Sequence, residues 1–272
     1  MRRMIAKSLR AAACATALLA AGPTHAWGQA IKFTSGQDIA PVFEGWQRND
    51  DGSFRMYFGY LNRNYQEVLD VPVGPDNHFE PAPIDRGQPT HFGTRRERFV
   101  FWTTVPKDWD KAKRLTWSIT ANGKTETAQG WLQPEWEVDE GVIQMNIGPG
   151  GAPPDPPNHY PEVTRGSPQQ TAAVGSPLSL SVSVSDDGIP KPRKPRKGAE
   201  RSSSGAGVQV RWLHYRGAGR VTFETARSER VYGKPFDAST KATFSAPGTY
   251  IIRAVVSDGL LETPYDVTVT VK

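Results

Sequence analysis

The chain has 272 residues, of which 37% are hydrophobic and 22% charged, with a single cysteine and a formal net charge of +5. That length exceeds one typical sandwich and suggests two domains, and the lone Cys14 excludes an intramolecular disulfide. Residues 1–30 carry four of the 33 Lys and Arg and none of the 28 acids, leaving 29 against 28, or +1, which removes most of the support for a nucleic-acid-binding class.

Arg2, Arg3, Lys7 and Arg10 precede a small, apolar run at residues 11–21, and Thr24 and Ala26 put small side chains at −3 and −1 of a cleavage site. This is the pattern of a secretory signal peptide, residues 1–26, too short for a membrane-spanning helix of about 20 residues. Cleavage is expected after Ala26 or Ala30, which leaves a cysteine-free, exported protein of the bacterial periplasm or exterior. Cys14 lies inside the apolar run, with Ala11 where a lipoprotein signal places leucine, so lipidation is not expected.

Residues 31–140 read as the first domain. Residues 42–47 and 53–62 flank a loop ending in Asp51-Gly52, and Phe54, Met56, Phe58 and Tyr60 alternate along one face of the second run. Further strands are expected at 67–73, 99–105, 115–120 and 126–132, the last two joined by Asn122-Gly123, a strong hairpin signal. Only residues 108–113 suggest a helical turn. Residues 141–161 are rich in proline and glycine and read as a linker crossed by few contacts.

The second domain, residues 162–272, has Leu178, Leu180, Val182 and Val184 alternating with serines. Strand signals recur at 208–215 and 221–225, and Tyr250, Ile252, Ala254 and Val256 alternate again before the Asp258-Gly259 turn and a final strand containing Val267, Val269 and Val271. A polar, proline-rich insertion at 186–207 interrupts it and reads as a disordered loop. The expected fold is all-β, two β-sandwiches behind a signal peptide.

Leu180–Asp187, Val210-Arg-Trp-Leu213, Gly217-Ala-Gly219 with Val221-Thr-Phe223, and the block at 241–272 resemble PKD-like domains, the immunoglobulin-type sandwiches of bacterial surface and secreted proteins. The likeness covers residues 168–272 and implies a module that displays, spaces or binds; the basic insertion departs from it. Residues 41–64 resemble the N-terminal part of uncharacterised secreted bacterial proteins, which implies no activity.

No metalloprotease, nucleophile-elbow or phosphate-loop spacing occurs, so no catalytic residue and no cofactor are assigned. His78, His91, His159 and His214 stand singly and read as loop or surface residues. Trp102 and Trp117 fit core positions, whereas Trp109 and Trp136 have charged neighbours and are the candidates for an exposed sugar platform. Asp186, Asp187 and Asp258 meet a hard cation's needs and are weak Ca²⁺ candidates, though Asp-Gly also simply makes turns. Lys191, Arg193, Lys194, Arg196 and Lys197 form a basic run that either is a solvated loop or meets an anionic glycan or lipid. The leading expectation is a monomeric, non-enzymatic binding or spacer protein whose partner is a glycan or other cell-envelope component. A carbohydrate-binding protein and a hydrolase with a carboxylate site in the first domain are the alternatives.

Overall fold

The computed structural model describes residues 32–148, 154–192 and 206–272. The signal-peptide expectation and four of the five basic-run residues, Arg193, Lys194, Arg196 and Lys197, lie outside those residues.

In chain order the first half forms β1 (Ile39–Arg48), β2 (Phe54–Asn62), β3 (Leu69–Asp70), β4 (Asn77–Glu80), β5 (His91–Phe92), β6 (Arg95–Val105), β7 (Leu115–Ala121) and β8 (Lys124–Gly130). Sheet β1-β2-β6 faces sheet β4-β7-β8, and β3 pairs with β5 as a short ribbon. Period-two alternation puts Phe54, Met56, Phe58 and Tyr60 in the core, each no more than 5% exposed. Trp117 stacks on Phe79 (5.8 Å, 8°) and meets Phe101 edge-on (5.1 Å, 89°). Burial of each such side chain contributes about 1.5–3 kcal/mol. Asn122 and Gly123 both take positive φ (49° and 76°), the two-residue turn that the β7–β8 hairpin requires.

A buried asparagine ties this core to the loop after β4. The Trp117 indole N–H donates to Asn77 Oδ1 at 2.9 Å, while the Asn77 amide donates to Val71 O (2.9 Å) and Pro89 O (2.8 Å). Buried Gln88 donates to Ile84 O at 2.9 Å and accepts from the Arg86 N–H at 2.8 Å. Residues 84–92 are thereby fixed from the inside.

The linker expectation needs correction at its start. Glu140–Ile147 is a helix, α1, whose N-cap Asp139 accepts from the Val142 N–H at 2.8 Å. Its Ile143 packs with Val138 and Tyr57 from the first half and Leu261 from the second. The apolar Val142, Ile143 and Ile147 provide a face worth burying, so the segment folds against both sandwiches instead of spanning solvent. The residues just before α1 lie against Gly45, which sits at the β1 bulge with φ +125°, where a Cβ would lie 2.5 Å from Val138 Cγ1 and 2.7 Å from Trp136 O.

The second half comprises β9 (Glu162–Gly166), β10 (Gln169–Ala172), β11 (Leu178–Ser185), β12 (Gln209–Arg216), β13 (Val221–Phe223), β14 (Phe236–Phe244), β15 (Gly248–Ser257) and β16 (Glu262–Val271). Sheet β13-β14-β11-β9 packs on sheet β10-β16-β15-β12, with β10 parallel to β16. Leu180, Val182, Val210, Ile252, Val256 and Val269 fill the core between them. Two further features are those of the immunoglobulin fold. Trp212 is buried on β12, and Tyr250 near the start of β15 donates its hydroxyl to Ala246 O at 2.8 Å. The outer edge of β12 is closed by residues 226–231, through Trp212 N–H to Ala226 O (2.8 Å) and Ser228 N–H to Val210 O (2.9 Å).

Both sandwiches belong to one compact unit, Phe33–Lys272. Many polar contacts cross between them. Arg253, 7% exposed, donates to Val100 O at 2.7 Å, forms a bidentate pair with Asp266 (2.7 and 2.8 Å) and lies 3.5 Å over the Tyr215 ring. Arg216 makes a second bidentate pair with Asp85 (2.8 and 3.0 Å) and donates to Gln88 O at 2.7 Å. Thr90 N–H donates to Tyr215 O at 3.1 Å. Among the described residues no helix is long and apolar enough to cross a membrane.

Candidate functional site

The junction leaves a cleft of about 590 Å³ between the sandwiches, within the range of small-ligand sites. β2 supplies Arg55 and Tyr57 to one wall, from the face opposite its core residues. β6 adds Phe99, Val100 and Trp102, while its alternate residues Phe101 and Val105 enter the first core. The opposite wall comes from Arg211, Leu213 and Tyr215 of β12, Val255 of β15 and Glu262 of β16. Ile143 and Ile147 of α1 and the ring of Tyr160 close one end, and His91 and His214 also border the space.

The cleft is aromatic and cationic. Trp102 is 39% exposed and Tyr160 40%. The Arg55 guanidinium lies 5.5 Å over the Trp102 ring, whose centroid is 6.2 Å from that of Tyr57. Arg211 pairs with Glu97 at 3.4 Å, and Arg98 donates to Asn146 O at 2.7 Å. Burial, reinforced by Glu97, raises the Glu262 carboxyl above its ordinary value despite Arg211 beside it.

The tryptophans are redistributed relative to the sequence reading. Trp117 is fully buried as its alternation suggested. Trp102 is not a core residue: the second face of its strand lines the cleft between the sandwiches, where its ring stays 39% exposed. Trp109 is half-buried against the first core, with Lys113 4.2 Å over its ring and its indole N–H donated to Lys113 O at 3.3 Å. Trp136 is 42% exposed, yet one face stacks on Phe43 at 5.4 Å. Neither Trp109 nor Trp136 lines the cleft.

Asp187 lies close enough to Asp186 and Asp258 to raise the pKa of each, and most of the oxygens of the three accept from backbone N–H groups, although Asp186 Oδ1 has no hydrogen-bond partner. Asp258 accepts from the N–H groups of Leu260 (2.6 Å) and Leu261 (2.8 Å) and from the Asn158 amide (2.9 Å). Asp187 accepts from Ile189 N–H (2.8 Å) and His159 N–H (3.0 Å), and Asp186 from Gly188 N–H (2.9 Å). Burial, then the neighbouring Asp258 and Asp187, push Asp186 up to about 6. Lys191 is exposed.

The histidines depart most from their sequence reading. His91 and His214 are not isolated; their ring centroids are 4.2 Å apart with a 31° tilt, and His91 Nδ1 lies 2.7 Å from Asp70 Oδ1. β3 and β5 pair Asp70 directly with His91, and the loop zipped to β12 carries His91 to His214. His214 is 8% exposed and neither ring nitrogen has a hydrogen-bond partner. Burial first, then His91, push its pKa down to about 4; the backbone of Arg216 and Gly217 acts the other way without reaching hydrogen-bonding geometry. No sequence spacing signals this cluster, since its members come from three strands in two sandwiches.

No family model matches the sequence, and no curated protein matches it. Among solved structures the chain is similar to the N-terminal Ig1-2 module of the Drosophila receptor protein tyrosine phosphatase DLAR, at 8% identity and TM-score 0.30 over 86% of this chain and 98% of that one. It is similar to a chimeric titin Z1Z2 functionalized with a peptide from decorin (13% identity, TM-score 0.23, 87% and 98% covered). A protein of unknown function from Porphyromonas gingivalis is a third (9% identity, TM-score 0.24, 86% and 98% covered). Likenesses this distant carry no argument about function, and the immunoglobulin-type assignment stands on the strand order, Trp212 and Tyr250.

Proposed function

We propose that this chain is a non-enzymatic, exported binding protein of the bacterial periplasm or cell exterior, its second sandwich a PKD-like module, with the ligand held between its two sandwiches. The observation that carries this reading is the cleft of about 590 Å³, walled by Tyr57, Phe99, Trp102 and Tyr160 and bordered by Arg55, Arg98 and Arg211. Ring faces stack on the apolar faces of sugars, and guanidinium groups bind carboxylate or sulfate forks. The ligand class that fits both is an acidic glycan of the cell envelope. The sugar platform thus moves from Trp109 and Trp136 to Trp102 and its neighbours.

A glycan array probed with the wild-type protein and with Trp102→Ala tests it. Binding to uronate- or sulfate-bearing glycans is expected, with a loss of at least about tenfold in the variant, equivalent to about 1.4 kcal/mol. Wild-type silence across the acidic glycans refutes the ligand class, and binding unaffected by the variant refutes the cleft.

A hydrolase is the second reading, favoured by one observation: the carboxylates Glu97 and Glu262 line the same cleft, and Glu262 is raised by burial while Glu97 pairs with Arg211. Such a division suits a general acid beside an ionised partner. Turnover of any array glycan that disappears in Glu262→Gln would establish it.

A further inference from the structure

We propose that Asp70, His91 and His214 form a binding site for a zinc-class transition-metal dication, with one coordination position open toward the cleft. This proposal is independent of what occupies the cleft. The three side chains each offer a donor atom, and those atoms lie within 4.8 Å of one another; among the described residues this is the one set of three such groups that converges so. Two imidazoles and a carboxylate are the donors of zinc and iron(II) sites, whereas calcium and magnesium favour all-oxygen sets.

The second observation is His214 itself. It is 8% exposed, and both ring nitrogens lack a hydrogen-bond partner, although buried polar groups are nearly always satisfied. A neutral imidazole carries one nitrogen lone pair, and a metal dication accepts it and so supplies a partner for that nitrogen. The donor atoms, all within 4.8 Å of one another, have to settle at one common spacing around the ion. His91 Nδ1 and Asp70 Oδ1 are 2.7 Å apart and would spread to about 3.3 Å, the donor–donor edge of a tetrahedron with ligand bonds of roughly 2.0–2.1 Å. His91 is held by the β3–β5 pairing with Asp70, and its loop is fastened to β12 through the Thr90 N–H bond to Tyr215 O. Three protein donors leave the fourth position for water or a ligand atom, and the two histidines border the cleft. Because His214 belongs to the second sandwich and the other two ligands to the first, the ion also joins the halves.

The test uses the purified protein without a polyhistidine tag, titrated with Co²⁺ as a spectroscopic probe and then displaced with Zn²⁺. One Co²⁺ per chain is expected, with visible absorption of the four-coordinate ion that bleaches on adding Zn²⁺. His91→Ala, His214→Ala and Asp70→Asn should each weaken Co²⁺ binding by at least about tenfold. If His214→Ala fails to fold, the other two variants, at less buried side chains, carry the decision. Absence of stoichiometric Co²⁺ binding, or affinity unchanged in His91→Ala and Asp70→Asn, overturns the proposal.

Discussion

Arg253 offers the sharpest test of the junction between the sandwiches. It is 7% exposed, bonded to Val100 O across the junction and paired with Asp266, whose side chain is 41% exposed. Burial works to lower its pKa, but Tyr215 and Asp266 outweigh it and hold the guanidinium above its ordinary value. Arg253→Met keeps the apolar stem and removes the fork. Asp266 can then recover water, so the loss is a charge-assisted bond to it and the bond to Val100 O, about 2–4 kcal/mol together. Asp266→Ala is the more damaging change by the same logic, because it strands a buried cation, at about 3–5 kcal/mol. Urea unfolding followed by tryptophan fluorescence measures both. For a chain of this size each kcal/mol is roughly 2–4 °C in Tm. Losses under about 0.5 kcal/mol in both variants, or a larger loss for Arg253→Met than for Asp266→Ala, would refute the reasoning.

Asn77→Leu should cost at least about 3 kcal/mol, since it leaves Trp117 Nε1, Val71 O and Pro89 O without their partner in the core; urea midpoints check it, and a near-neutral variant would contradict the assigned role. Asp186, raised to about 6, takes up a proton more readily folded than unfolded. The stability it confers is therefore fully present below its ordinary pKa of about 4 and is lost as pH rises through about 6. Asp186→Asn mimics the protonated form, so its stability relative to wild type should improve as pH rises through that window; a pH-independent difference would sink the assignment. The losses expected for Trp102→Ala on glycans and for the three metal-site variants on Co²⁺ complete the set.

The strands were legible where one face met a core and the other did not. Alternation located Phe54 to Tyr60 and Tyr250 to Val256 because each apolar position enters one hydrophobic cluster. Trp102 was misplaced because alternation reports burial against a partner without saying that the opposite face meets a second sandwich. The helix α1 was hidden by composition: glycine and proline beyond residue 148 dominated the local signal, although Asp139 and the Val142-Ile143 and Ile147 spacing carried a cap and an apolar face. The pairing of His91 with His214 could not be read at all. It depends on the loop before β5 lying along β12, a long-range register held by Asn77 and Arg216 and encoded in no local pattern.

The closed edge of β12 has a consequence for how this chain avoids pairing with its own copies. An open strand presents unpaired N–H and C=O groups that template addition of another chain. Here Trp212 N–H and Val210 O are already engaged by residues 226–228, and Tyr215 O by Thr90 N–H from the other sandwich. Polymerisation through this edge would first require residues 226–231 to peel away from β12 and, at Tyr215, the two halves to part. The guard against self-assembly is therefore shared between a segment of the second sandwich and the junction, and variants that loosen both should reveal themselves by β-rich aggregates before they lose their secondary structure.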